Sequence, residues 1–227
     1  MDEKLSKFRI HAAQQSGGRS SKSIKALVHS IVEEKGLEGL VLDFGAGRGE
    51  LTNWLLEKRF FSEIHALDLC ERPAGLPESI QWHVSDLNES VSLDRDGFDV
   101  VICTEVIEHL ENPRHVFRSI WKLLKNGGAL VLTTPNQESL RSFVGLLFGG
   151  HFTHFLASSY PAHITALLRL DLIRLCDETG FEVPEFYWTD NGCIPGWTSR
   201  KWQGLSLGLL KGRLFSDNLG MFTVKRN

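Results

Sequence analysis

The four cysteines, Cys70, Cys103, Cys176 and Cys193, form no Cys-x-x-Cys pair. That excludes the usual spacing of a structural zinc site, argues against a disulfide framework, and makes a reducing cytoplasm the expected location. No run approaches the ~20 apolar residues needed to span a bilayer. The start, Met1-Asp-Glu-Lys-Leu-Ser-Lys-Phe8, lacks the apolar stretch that follows the basic end of a signal peptide. Charge of one sign is also scarce. Lys and Arg number 25 against 28 Asp and Glu, a net −3, so nucleic acid is not the expected partner. No internal repeat or low-complexity tract interrupts the chain. What remains is 227 residues, 42% hydrophobic and 23% charged, the composition of an ordinary globular protein and the length of one decorated α/β domain over 1–227. Nothing in the composition sets an oligomeric state.

Residues 1–19 are polar and end in Ser16-Gly-Gly-Arg-Ser20, which reads as a mobile lead-in. Ser20 or Ser21 can cap a helix to Lys35, with Ile24, Leu27, Val28, Ile31 and Val32 on one face. Residues 1–35 are thus expected to form an N-terminal helical cap. Strands are expected at 40–44, 63–67, 80–84, 98–103 and 129–133, with helices over 50–58 and 113–125, the latter stopped by Asn126-Gly127-Gly128. Strands alternating with helices predict crossovers and a mainly parallel, doubly wound α/β sheet. Residues 137–163 show no firm periodicity. A helix over 165–179 and final strands at 181–189 and 219–225 follow. This gives a ligand-binding half at 36–136 and a substrate-side half at 137–227, with an insertion at 192–216.

The most informative stretch is Val41-Leu-Asp-Phe-Gly-Ala-Gly-Arg-Gly-Glu50. A strand runs through Gly45, Gly47 and Gly49 into a helix, and an open α/β sheet places a nucleotide at such a turn. A dinucleotide fingerprint would put its third glycine at position 50, which is Glu50. There is no Gly-Lys-Ser/Thr for a phosphate loop and no Tyr-x-x-x-Lys pair for a nicotinamide-dependent oxidoreductase. Asp43, at the strand end, would repel phosphates and suits a cationic amino-acid ligand. Asp68 closes the next strand, where a carboxylate can accept both hydroxyls of a ribose. Asp86 follows the third strand and could accept from an adenine amino group, with Leu87 against the ring. Taken singly, Asp68 is an ordinary helix cap and Asp86 an ordinary turn residue. Together the three carboxylates fit an adenosine without phosphates.

This pattern resembles the class I S-adenosylmethionine-dependent methyltransferases, in particular the ubiquinone-biosynthesis O-methyltransferase-like group with methyltransferase domain 23. The resemblance covers about 36–190 and rests on Leu42-Asp-Phe-Gly-Ala-Gly-Arg-Gly49, Leu67-Asp68, Ser85-Asp86, Glu105-Val-Ile-Glu-His-Leu110, Leu124-Lys-Asn-Gly-Gly128, Thr134-Pro-Asn136 and Thr179-Gly-Phe181. It implies a Rossmann-like seven-stranded sheet with an antiparallel last strand and S-adenosylmethionine as cofactor. It also implies a cofactor site made of Asp43, Gly45, Ala46, Gly47, Gly49, Asp68, Leu69, Asp86, Leu87, Thr104 and Glu105.

In that group the Glu105–Leu110 segment borders both the reactive end of the cofactor and the acceptor. A hydroxyl acceptor must lose its proton, and the His109 imidazole suits that task near neutral pH. Glu105, Glu108 and His109 also share one face of a helical turn. They could instead hold Mg²⁺ or a similar divalent ion, with His163 as a further ligand and His151 and His154 as rivals for that place. The turn resembles the metal-binding turn of ubiquinone-biosynthesis O-methyltransferases and of RNA 2′-O-methyltransferases. Base, metal site and structural turn all stay open here.

The 192–216 insertion sets Trp197, Trp202, Leu205, Leu207, Leu209 and Leu210 among Arg200, Lys201, Lys211 and Arg213. It reads either as a helix packed over the substrate pocket or, across 197–213, as a basic segment lying on a membrane surface. Lys122, Lys125 and Lys225 read as solvated. The resulting expectation is O-methylation of a small-molecule or glycan intermediate. An RNA 2′-O-methyltransferase, a nicotinamide-dependent oxidoreductase and a non-catalytic cofactor-binding partner protein are the rivals.

Overall fold

The computed structural model describes residues 3–91, 93 and 97–227. In chain order the elements are α1 (Glu3–Ser16), α2 (Lys22–Lys35), β1 (Leu40–Phe44), α3 (Glu50–Lys58), β2 (Glu63–Asp68), β3 (Gln81–Val84), β4 (Phe98–Thr104), α4 (Pro113–Leu123), β5 (Leu124–Pro135), α5 (Leu140–Gly149), α6 (Arg169–Thr179), β6 (Glu185–Trp188), β7 (Cys193–Ile194), β8 (Trp197–Lys201), α7 (Trp202–Leu205) and β9 (Asn218–Val224). Seven strands make one sheet in the order β3-β2-β1-β4-β5-β9-β6, and β7 and β8 form a separate hairpin. Strands β1 to β5 are parallel, while β9 runs antiparallel between β5 and β6. The sheet is the Rossmann-like one expected, with its last strand reversed.

Strict alternation along the central strands feeds two cores. Leu40, Leu42 and Phe44 of β1 face a core shared with Phe117 and Ile120 of α4 and Leu172 and Leu175 of α6. Val41 faces the opposite core, built with Val28, Ile31 and Val32 of α2 and Leu51 and Leu55 of α3. Both faces are therefore covered, which is why these strands read as unbroken apolar runs. The chain winds β1, β2, β3 outward and then returns to place β4 on the other side of β1. The carboxyl ends of β1 and β4 flank this reversal, the place where open α/β sheets bind ligands.

Caps explain most helix boundaries. Ser21 accepts from the Ile24 amide at 3.3 Å to open α2, and Asn112 accepts from the His115 amide at 3.1 Å to open α4. Five expectations need correction, one of them Lys225, which is buried rather than solvated. The polar lead-in is the helix α1, folded against the sheet's ligand end. Helix α4 ends at Leu123, and Asn126-Gly127-Gly128 lies within β5. Lys225 causes that early stop: it is buried, and its Nζ donates to the Trp121 and Leu124 carbonyls at 2.8 and 2.7 Å. Helix α6 begins at Arg169 rather than Thr165, because Thr165 donates its amide to the Glu108 carbonyl and its hydroxyl to the Leu110 carbonyl. The aperiodic stretch after Pro135 contains α5, capped by Ser139. No helix among the described residues is long and apolar enough to cross a membrane.

Candidate functional site

The site forms where β1 turns into α3. Gly45 and Gly47 have φ of +87° and +55°, a conformation that side chains resist. Their backbones are also crowded. A Cβ on Gly45 would lie 2.3 Å from Val106 Cγ2, and one on Gly47 would lie 2.7 Å from the Gly18 carbonyl. The turn is pinned by the Gly45 and Ala46 amides donating to the Leu67 carbonyl at 2.8 and 3.0 Å. It opens into a cavity of about 570 Å³, within the range of small-ligand and cofactor sites.

Of the eleven residues expected to hold a cofactor, ten line this cavity: Asp43, Gly45, Ala46, Gly47, Asp68, Leu69, Asp86, Leu87, Thr104 and Glu105. Gly49 does not. It caps α3 with φ +71° and packs on Leu76, where a Cβ would sit 2.8 Å from Cδ1. Glu50, in the place of a third glycine, pairs with Arg19 and Lys25 at 3.1 and 3.0 Å. Asp68 accepts from the Gly47 amide at 2.7 Å and the Cys70 amide at 2.9 Å, one on each oxygen. A carboxylate oxygen has two lone pairs, so both remain able to accept a hydroxyl. Thr104 is buried and its hydroxyl has no hydrogen-bond partner among the described residues. An orphaned polar atom in a cavity wall fits a polar ligand.

Arg9 carries no signal in the sequence. From α1 its guanidinium reaches Asp86 at 2.9 Å, Glu89 at 2.7 Å, and both oxygens of Glu111 at 2.9 and 2.8 Å. One cation thus gathers three carboxylates and closes α1 over the cavity. Asp86, expected to face adenine, already shares one oxygen with that cation. Only an acid-rich cavity rim opposite a basic residue could have suggested the contact, and the rim joins two segments, 86–89 and 111, that lie far from residue 9 in the sequence.

The second cluster hangs from the end of β4. Glu105 sits at φ +53°, and its carboxyl accepts from Thr133 at 3.0 Å and Asn218 at 2.7 Å. Burial, reinforced by Glu108, holds its proton well above the usual carboxylate range. Glu108 is buried, accepts from Thr134 at 3.3 Å through Oε2, and leaves Oε1 with no partner among the described residues. Burial raises its pKa too. His109 Nδ1 lies 2.8 Å from the Ala162 carbonyl. A carbonyl only accepts, so Nδ1 carries the hydrogen and Nε2 keeps its lone pair. Burial lowers the His109 pKa, which keeps the ring neutral. His163 lies edge-on at 4.9 Å, and its Nδ1 also has no partner among the described residues.

Glu108, His109 and His163 can each bring one ligand atom within 4.8 Å of the others. Glu105 is not part of that group. Its oxygens are turned to Thr133 and Asn218, so the expected four-residue metal set reduces to three. The rivals His151 and His154 line no part of the cavity. Nor does any residue of 192–216. That insertion is the β7–β8 hairpin, a single helical turn and a loop, and Gly196, Gly208 and Gly212 at φ +77°, +83° and +79° prevent the pocket-covering helix that was expected.

Comparisons with known proteins point one way. An O-methyltransferase of ubiquinone biosynthesis from Xanthomonas oryzae pv. oryzae is 29% identical over 157 residues, which cover 62% of this chain and 64% of that protein. The chain therefore spans just under two thirds of that relative's length. An S-adenosylmethionine-dependent methyltransferase from Archaeoglobus fulgidus has the same fold at a TM-score of 0.60 and 19% identity, over 93% of this chain and 97% of that one. So does 1,6-didemethyltoxoflavin-N1-methyltransferase from Burkholderia thailandensis, solved with S-adenosylhomocysteine, at 0.59 and 16% over 91% and 79%. The family model of the methyltransferase domain matches residues 17–185, about three-quarters of the sequence, and the chain belongs to that family.

Proposed function

We propose that this protein transfers a methyl group from S-adenosylmethionine to a hydroxyl of a small-molecule or glycan acceptor, with His109 as the base. The observation that carries the reading is one cavity with two kinds of wall: the glycine turn with Asp43 and Asp68, and facing it a neutral imidazole whose Nδ1 is committed to Ala162. S-adenosylmethionine supplies an electrophilic methyl group when bound. Asp68 would hold the ribose, Asp43 would face the cationic amino-acid end, and Leu87 would contact the base. His109 Nε2 would take the acceptor hydroxyl's proton, leaving its oxygen to receive the methyl group that the cofactor would supply. Alignment of the two reactants can contribute about 7–11 kcal/mol in favourable cases. The name of the Xanthomonas relative, an O-methyltransferase, supports oxygen as the acceptor atom.

A second reading adds a divalent cation. Two imidazoles and a carboxylate whose Glu108 Oε1 and His163 Nδ1 lack partners among the described residues suit such an ion. An ion there would acidify a bound hydroxyl. The experiment is turnover of labelled donor with metabolite and glycan extracts, with and without chelator, on the parent and on His109→Ala. Under the first reading His109→Ala lowers turnover roughly 10²–10⁴-fold, leaves calorimetric cofactor affinity unchanged, and chelator does nothing. Because burial depresses the His109 pKa, the parent's rate should rise with pH below the ordinary histidine range and be flat at neutrality. Under the second, chelator abolishes turnover, Mg²⁺ or a transition metal restores it, and Glu108→Gln and His163→Ala fail likewise. Full turnover by His109→Ala at every pH would overturn both.

A further inference from the structure

One stretch of surface is apolar and basic and contributes no residue to the cavity wall. On α5, Phe143, Leu147 and Phe148 are 59%, 65% and 81% exposed, and on the loop after α7, Leu207 and Leu209 are 93% and 84% exposed. These two pieces adjoin. Helix α5 packs against the turn at Arg213–Phe215, Arg141 of α5 pairs with Asp217 at 3.3 Å, and Gln203 ties the loop back to the Leu210 and Phe215 carbonyls. Trp197, 62% exposed at the hairpin, lies under the Arg200 guanidinium at 5.4 Å. Large aliphatic and aromatic side chains presented together to water are not an ordinary surface.

The exposed charge on this face is mostly positive, with Glu138 and Asp217 at its inner edge. From Ser139 to Gly150 and from Gly192 to Ser216 the sequence holds Arg141, Arg200, Lys201, Lys211 and Arg213 and not one Asp or Glu, within a chain whose net charge is −3. Arg141 and Lys201 lean on Asp217, and Arg213 reaches Glu138. Arg200 and Lys211 have no carboxylate partner among the described residues.

We propose that this face docks on an anionic lipid bilayer. The apolar tips would enter the boundary between headgroups and acyl chains while the cations meet lipid phosphates. Charge argues for a bilayer over a second copy of the chain. A two-fold contact sets a patch against itself, and here that would bring like-charged rims together. The inference is independent of the methyl-transfer reading.

Flotation with vesicles is the test. The protein should float with phosphatidylcholine–phosphatidylglycerol vesicles far more than with phosphatidylcholine alone, and added salt should weaken the association. The triple variant Phe148→Ser, Leu207→Ser, Leu209→Ser should bind roughly tenfold more weakly or worse. Arg200→Gln and Lys211→Gln should each cost roughly fivefold. All five positions are exposed, so unchanged melting and unchanged S-adenosylhomocysteine binding should confirm that the variants fold. Absence of binding by the parent protein to the anionic vesicles overturns the proposal, as does full binding by the triple variant. Sedimentation that shows a parent dimer, converted to monomer by the triple variant with no vesicle binding by either, would assign the face to a second copy instead.

Discussion

Asp43 is a carboxyl with one strong hydrogen bond and almost no water: Thr52 donates to it at 2.6 Å and it is 1% exposed. Burial, with a smaller push from Asp68, raises its pKa from 3.8 to about 7. A folded-state pKa above the unfolded one means the native protein holds this proton more tightly. The stability it lends is complete below pH 3.8 and is lost as pH rises through about 7. The full swing has an upper bound of about 4 kcal/mol. Asp43→Asn should therefore flatten the melting temperature against pH between those two values, and an unchanged slope would show that Asp43 stays ionised throughout. Asp68 makes a different prediction. Asp68→Ala removes the proposed ribose acceptor and also strips the Gly47 and Cys70 amides of theirs. Calorimetry should show cofactor binding weakened by more than the ~0.5–1.5 kcal/mol of one hydrogen bond, whereas an unchanged dissociation constant would make Asp68 a structural cap alone. Both carboxylates were legible because Asp68 ends its strand and Asp43 stands one residue before the end of a strand that reads clearly as apolar and buried. The Glu105 contacts with Thr133 and Asn218 were not, because they join chain segments that only the sheet brings together.

Helix α1 shows how an element can escape a reading based on apolar periodicity. Its sequence, Glu3-Lys-Leu-Ser-Lys-Phe-Arg-Ile-His-Ala-Ala-Gln-Gln-Ser16, has Leu5, Phe8 and Ile10 at 36%, 42% and 37% exposure, while its buried anchor is Arg9 at 8%. Charge, not apolar area, docks it. Helix α5 fails for the opposite reason, being apolar on the side that faces water, so no period separates inside from outside. By contrast α2, with Ile24, Leu27, Val28, Ile31 and Val32 buried as the spacing demands, and β1 to β5 were legible from their sequence alone. The Arg9 cluster also sets what α1 does. Glu89 and Glu111 are half-exposed but Asp86 is not, so Arg9→Ala would leave one buried carboxylate facing two others without a cation. We expect a loss of about 1–3 kcal/mol in stability, faster proteolysis within 3–16, and faster release of the adenosyl ligand. Stopped-flow dissociation reads the last of these. A variant that loses stability but keeps the parent's ligand off-rate would make α1 a brace rather than a lid.

At the scale of the whole molecule, the cavity is where every layer meets. Its walls come from α1, from the turn after β1, from the ends of β2 and β4, from the segment after β3, from the Pro161–Ile164 stretch and from Asn218 at the start of β9. The two cores lie on opposite faces of one sheet and share its central strands, Leu42 and Val101 feeding one and Val41 and Ile102 the other. Neither core can melt while the strands persist, so the described chain should unfold as one cooperative unit. A ligand seated in that cavity contacts elements of both faces and must stabilise them together. At a free concentration of about one hundred times its dissociation constant, a ligand that binds only the folded state adds roughly 2.7 kcal/mol. For a domain of this length each kcal/mol raises the melting temperature by roughly 2–4 °C, so the shift should be roughly 5–10 °C. Scanning calorimetry with S-adenosylhomocysteine should thus show a single transition moved upward as a whole, and with a nicotinamide dinucleotide no movement. Two transitions of which only one responds would mean that the halves before and after Asn136 fold separately. A shift with the dinucleotide alone would return the glycine turn to the oxidoreductase reading, which Glu50 with its two cations opposes.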